Sequence, residues 1–215
     1  MAVRIAASGA RVTDFGTYHR LRPRLETGDV VLFSGKSGIS EAVKALTRSA
    51  YSHAGMVVRI PEVDLVCVWE STTLSNVPDY FTGRGTRGVQ VVPLSERLRL
   101  YRGEVSVRML QAPRPPAVRE TVGRLRQEWQ GRPYERHPLE LLRAAYDGPG
   151  GANRTANILS FFCSELVAEV YQRCGWLPAD PPSNEYVPAD FTPERGTVER
   201  ALTAGAALLA PIRLR

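Results

Sequence analysis

A chain of 215 residues, 43% of them hydrophobic, is enough for one well-cored domain and short for two. Its three cysteines, Cys67, Cys163 and Cys174, are too few and too odd in number for a disulfide framework, and without a CxxC or Cys/His cluster they point to no metal and no cofactor. The net charge of +6 is almost wholly arginine, scattered among acids with no basic-aromatic ladder, which argues against nucleic acid as a partner.

Taken in order, residues 1–26 are polar, arginine-rich and weakly periodic, and read as an N-terminal extension or a short packing arm ahead of a domain over 27–215. The first twenty residues hold no uninterrupted apolar h-region, and no run of about 18 apolar residues occurs anywhere. No secretory leader and no membrane span are expected, and with the thiols reduced a cytoplasmic location is the expectation.

Gly28-Asp29 opens Val30-Val31-Leu32-Phe33, an apolar run of strand length that stops at Ser34-Gly35. Asp29 reads most simply as a turn or cap residue. Ile39, Val43 and Leu46 at helical spacing, with serines ahead of them, predict a short helix over 37–49.

Two β-rich runs follow, 51–60 and 65–71, around a turn at Pro61-Glu62, and read as an antiparallel hairpin. A turn centred there pairs Ile60 with Val63 and sets His53 opposite Glu70. Opposed Cβ atoms lie about 4.5–5.5 Å apart, within reach of an imidazole to carboxylate hydrogen bond. A slip of one residue would put the two side chains on opposite faces.

Residues 75–88, with Pro78, Gly83, Gly85 and Gly88, read as a loop, either a flap over a cleft or plain surface. Strands at 89–94 and 105–110 bring the sheet to about five. Val118, Val122, Leu125 and Trp129 line a helix that stops at Gly131, and a second helix is expected over 139–146. The turn-rich stretch 147–153 leads into Ile158-Leu159-Ser160-Phe161-Phe162-Cys163-Ser164-Glu165-Leu166-Val167.

Here Leu166, Val167, Val170, Tyr171 and Cys174 form a helical stripe that Gly175 and Pro178 end. With Ser160 as N-cap, Cys163 falls in the first turn, where unpaired N–H groups and the helix dipole would favour a thiolate and could hold an oxyanion. Cysteine, histidine and carboxylate then make a nucleophile, a base and its orienter. Cys67 and Cys174 read as structural thiols, and His19 and His137 as surface residues.

Gly28-Asp29-Val30-Val31-Leu32-Phe33, Tyr51-Ser52-His53-Ala54-Gly55-Met56-Val57, Glu70, Gly131-Arg132-Pro133-Tyr134, Phe162-Cys163-Ser164-Glu165-Leu166-Val167 and Pro188-Ala189-Asp190-Phe191, in that order, resemble the permuted branch of the NlpC/P60 superfamily, in particular its YiiX/YebB-like group. The resemblance spans roughly residues 28–191. It implies an α+β, circularly permuted papain-like fold, with an antiparallel sheet or barrel packed against the helix that carries the cysteine.

The resemblance also implies Cys163 as nucleophile, His53 as general base, taking the thiol proton or holding a preformed ion pair, and Glu70 as the residue that orients it. The Cys163 backbone N–H and the Tyr51 hydroxyl are candidate oxyanion donors, core packing being the other reading of Tyr51. Pro133 and Tyr134 would line the pocket or serve structure. The reaction implied is cleavage of an amide in a peptide or peptidoglycan-derived fragment through a thioester acyl-enzyme. The alternatives are an acyltransferase or lipid thioesterase of the lecithin:retinol acyltransferase type, whose members carry a second histidine where this chain has Glu70, and a non-catalytic binding module on the same fold.

Overall fold

A computed structural model of the chain describes residues 15–133, 156–203 and 205–215. Residues 1–14, Tyr134, His137, the helix expected over 139–146 and the turn-rich 147–153 lie outside the described residues.

The protein is α+β, built on a six-stranded antiparallel sheet of order β4-β3-β2-β1-β5-β8. Its strands are β1 (Val30–Gly35), β2 (His53–Ile60), β3 (Leu65–Thr72), β4 (Gly88–Pro93), β5 (Gly103–Arg108) and β8 (Ile212–Arg213). A small second sheet pairs β6 (Leu110–Gln111) with β7 (Ala207–Leu208). The helices are α1 (Gly16–Leu21), α2 (Gly38–Thr47), α3 (Leu94–Leu100), α4 (Pro116–Trp129), α5 (Ala156–Arg173) and α6 (Thr197–Ala201).

The unbroken apolar run Val30 to Phe33 has a direct cause. Strand β1 lies between β2 and β5 and is covered on both faces, so neither alternation position meets water. Val30 and Leu32 join Ala54, Met56, Trp69 and Val91 in a core closed by Leu166, Val167, Val170 and Tyr171 of α5 and by Val118, Val122 and Leu125 of α4. Val31 and Phe33 point the other way, into a second core with Val57, Val68, Val107, Leu94 and Leu98. Tyr18, Leu21 and Leu25 bury in that second core, so from residue 15 onward the N-terminal segment packs against the sheet. Arg114 and the backbone N–H groups of Glu26 and Leu110 hold buried Asp29, which works as a turn clamp.

The hairpin register differs from the expected one. The observed pairs include Ile60 with Leu65 and Met56 with Trp69. The turn is four residues long because Pro61 starts a 3-10 turn over Pro61–Val63, and Asp64 closes it in the left-handed region at φ 46°. The offset is two residues, so every side chain keeps its face. His53 and Glu70 are therefore diagonal neighbours rather than opposed.

Helix α5 also departs from expectation, because it begins at Ala156, well before the expected cap at Ser160. Between Ala156 and Cys163 there is no glycine or proline to stop propagation, and the capping preference of one serine is worth less than continued helix.

Candidate active site

His53 is the first residue of β2, beside Phe33 of β1, and the two rings lie 5.0 Å apart at 46°. Its Nε2 meets Glu70 Oε2 at 2.7 Å. That contact leaves Nδ1 for the thiol, and the His53 and Cys163 side chains are hydrogen bonded to each other. The other Glu70 oxygen accepts from Arg97 Nε at 2.7 Å and from Gln90 Nε2 at 3.5 Å. Arg97 Nη1 continues to Asn76 Oδ1 at 2.8 Å, in the loop after β3. The result is a line of polar groups running Cys163, His53, Glu70, Arg97, Asn76, with Glu70 and Arg97 both buried.

This arrangement sets the charges. Burial opposes ionisation of Glu70, but Arg97 and His53 outweigh it and pull the carboxyl down to about 2. For His53, burial disfavours the imidazolium, and the neighbouring Cys163 and Glu70 overcome that and raise it to about 9. Burial would raise the Cys163 thiol, yet the His53 charge and hydrogen bond, together with the backbone N–H groups of Ala54 and Ser164, bring it below its ordinary value. The other thiols go the opposite way. Burial, aided by Asp79, lifts Cys67 to about 12, and burial lifts Cys174 to about 11.

Cys163 and His53 line one cleft of about 760 Å³. Its walls come from the β1–α2 connection (Gly35, Lys36, Ser37), from residues 71–76, and from Leu100, Tyr101 and Arg102.

Two features of the expected site have other causes here. Cys163 is the eighth residue of α5, where a backbone N–H bonds to the carbonyl four residues before it. Helix-end donors are therefore absent at this position, and His53 with Ala54 and Ser164 depresses the thiol instead. Tyr51 packs against the α5 core, and its hydroxyl donates to Ser106 Oγ at 3.1 Å, away from the residues that line the cleft.

Sequence reasoning missed Arg97 and Tyr101. The signal for α3 was present, since Leu94, Arg97 and Leu98 fall on one face and all three are buried. Tyr101 follows α3, lies 5.0 Å from the Phe33 ring, lines the cleft and hydrogen bonds with Ser52. Burial, with the Glu70 and Cys163 charges adding to it, keeps its phenol protonated far above neutral pH. The exposed His19 sits on α1, and Pro133 forms an isolated bridge with Gly88.

No family model matches the sequence, and no curated protein matches it. Among solved structures, the chain resembles the metalloprotein YiiX from Escherichia coli O157:H7, with a TM-score of 0.46, 22% identity and 70% of this chain covered. The chain spans 66% of that structure's length. Among the described residues no three His, Cys, Asp or Glu side chains converge as a metal site, and no helix is long and apolar enough to cross a membrane.

Proposed function

We propose that this protein is a thiol hydrolase acting on an amide or ester, with Cys163 as nucleophile, His53 as the acid and base, and Glu70 as the group that orients the imidazole. A permuted papain-like architecture over residues 27–215 and a peptide-like substrate belong to the same reading. The observation that carries it is the hydrogen-bonded series Cys163, His53, Glu70 opening onto a cleft, with the thiol depressed and the imidazole raised in pKa.

The Cys163 thiolate attacks the acyl carbon, and the carbonyl electron pair moves onto oxygen. Collapse expels the amine or alkoxide, which takes the Nδ1 proton of the His53 imidazolium, and a thioester remains. A water then gives a proton back to His53 as it attacks the thioester, which releases the acid and restores the thiolate. Tyr101, held protonated on the cleft wall near Cys163, is the donor we assign to the developing negative oxygen, whereas the Tyr51 hydroxyl is bonded to Ser106 outside the cleft lining. Glu70 keeps Nε2 bonded, so that Nδ1 faces sulfur throughout.

The test is an activated ester such as p-nitrophenyl acetate, followed by nitrophenol release and intact-protein mass spectrometry. The wild type is expected to show a burst and one acetyl group on Cys163. Cys163→Ala should lose both, and Tyr101→Phe should slow turnover about tenfold or more while still labelling Cys163. Acetylation elsewhere with Cys163 unmodified would falsify the assignment.

A further inference from the structure

Apart from the His53–Cys163 pair, the charged side chains that line the cleft are all cations: Lys36, Arg87 and Arg102, with no carboxylate among the described lining residues. All three are exposed, and among the described residues none makes a hydrogen bond or an ion pair. Three cations on neighbouring segments are paired instead. Lys44 is held by Glu41 at 2.7 Å, Arg99 by Glu96 at 2.6 Å and Arg213 by Glu104 at 3.1 Å.

The sheet explains why two of the three stand together. Strands β1 and β5 run antiparallel to a last pair, Gly35 with Gly103. Lys36 and Arg102 are the next residue on each strand, so two like charges leave the ladder side by side. Close approach there is built in, since a Cβ on Gly103 would lie 2.1 Å from the Ser34 carbonyl oxygen and one on Gly35 would lie 2.3 Å from Ser40 Oγ. Like charges at opposed positions repel, and the acids on the adjoining elements, Glu41 of α2 and Glu104 of β5, already have partners. Arg87 precedes β4, at the other end of the strand order, and reaches the same cleft. Cations without counterions, gathered at the mouth of a cleft that holds a nucleophile, raise the local concentration of anions.

We propose that Lys36, Arg102 and Arg87 form an anion-binding subsite of this cleft, and that the acyl substrate carries a carboxylate or phosphate seated among them. This names a substrate class for the thiol hydrolase and rests on that reading. An uncharged acyl chain would leave the three cations unpaired, whereas an anionic one brings its own counter-charge and is oriented by it before attack.

The experiment is alkylation of Cys163 by the isosteric pair iodoacetate and iodoacetamide, read by peptide mass spectrometry. The proteins are the wild type, Lys36→Gln/Arg102→Gln and Arg87→Gln. The ratio of the two rates cancels the thiol's own nucleophilicity and reports the cleft potential. Removing the Lys36 and Arg102 charges is expected to lower the iodoacetate to iodoacetamide ratio about two- to fivefold at low salt, and added salt should narrow the difference. Parallel arms with succinate or inorganic phosphate at constant ionic strength tell carboxylate from phosphate, because the preferred anion protects Cys163 in the wild type and loses that effect in the double variant.

A ratio that is the same in all three proteins, set by His53 alone, overturns the anion subsite and leaves the hydrolase reading standing. If Cys163 takes up neither reagent, the hydrolase reading fails, and thermal melting decides the subsite. A rise in Tm with succinate or phosphate over matched chloride that the double variant loses sustains it, and an equal response in both proteins overturns it.

Discussion

Glu70 has a cation on each of its oxygens and 1% of its surface in contact with water. Held down to about 2 from 4.5, it contributes stability on the order of 3 kcal/mol that is present above pH 4.5 and is lost as the pH falls through about 2. Arg97 supplies much of that hold, and this makes stability and catalysis separable. Glu70→Gln leaves the Arg97 guanidinium buried without a counter-charge, and we expect it to cost about 3 kcal/mol or more in urea unfolding. Glu70→Gln/Arg97→Met removes both charges and should recover most of that loss, because no uncompensated charge is then left buried.

Activity is expected to behave otherwise. The raised His53 keeps its proton until about 9, so the wild-type rate should fall as the pH rises through that value and as it drops through the depressed Cys163 pKa. Without the Glu70 charge the imidazole releases its proton at lower pH, so the alkaline limit of the active range moves down in the single and double variants alike. Recovery of the wild-type pH profile in the double variant would show that Glu70 is there for packing alone.

At the level of elements, the site depends on how close β2 and β3 run. A Cβ on Gly55 would lie 2.8 Å from Val68 Cγ2, 3.1 Å from the Trp69 carbonyl oxygen and 3.2 Å from Glu70 Cβ. Gly55→Ala must push the two strands apart beside Glu70, at a cost of about 1–3 kcal/mol. Because the imidazole is aimed from that junction, we expect kcat/KM to fall about tenfold or more. Gly123→Ala is the comparison. It sits in α4 with nothing within 4 Å of the added atom, and it should raise stability by about 0.5–1 kcal/mol with the rate unaltered. Equal effects at the two glycines would break the link between strand spacing and catalysis.

The same hairpin shows how far local sequence reaches. Alternation of Val57, Val66 and Val68 against Met56, Cys67 and Trp69 defines faces, so His53 and Glu70 are legible as neighbours even with the turn misplaced by two residues. The turn itself was harder to read, because Pro61 permits both a tight reversal and the observed 3-10 turn. Helix α5 was visible from its buried stripe, but its start was not, since a cap competes with propagation and only tertiary context settles the outcome. Arg97 was illegible as a partner for Glu70 because the pair is 27 positions apart and α3 is barely two turns long.

Across the whole molecule, the two cores share one sheet, and Arg108 of β5 ties its far edge to the α5 side. Its guanidinium donates to the carbonyl oxygens of Leu209 at 2.8 Å, Phe191 at 2.8 Å and Leu208 at 3.1 Å, and it pairs with Glu199 of α6. These segments in turn support the helix that carries Cys163. Phe191 packs near Tyr186, with ring centroids 6.3 Å apart, and Tyr186 offers its carbonyl to Ser164 Oγ at 2.7 Å, one residue from Cys163. Arg108→Leu would leave three carbonyls and one carboxylate without their donor in a site where Arg108 is 1% exposed.

Losses of that kind cost about 3 kcal/mol or more, and for a chain of this length each kcal/mol lowers Tm by about 2–4 °C, so a drop of roughly 6–12 °C is expected. Because β1 belongs to both cores, the loss should reach the whole fold as one transition, with tryptophan fluorescence and Cys67 labelling moving together in urea. Cys67 is the reporter for this, since it lies in the α5 core and is protected by burial, with Asp79 adding to it. Two separated transitions, with the residues around Arg108 releasing first while Cys67 stays protected, would mean that the C-terminal strands are an appendage to the sheet, and that the route from Arg108 through Tyr186 to Ser164 does not support α5.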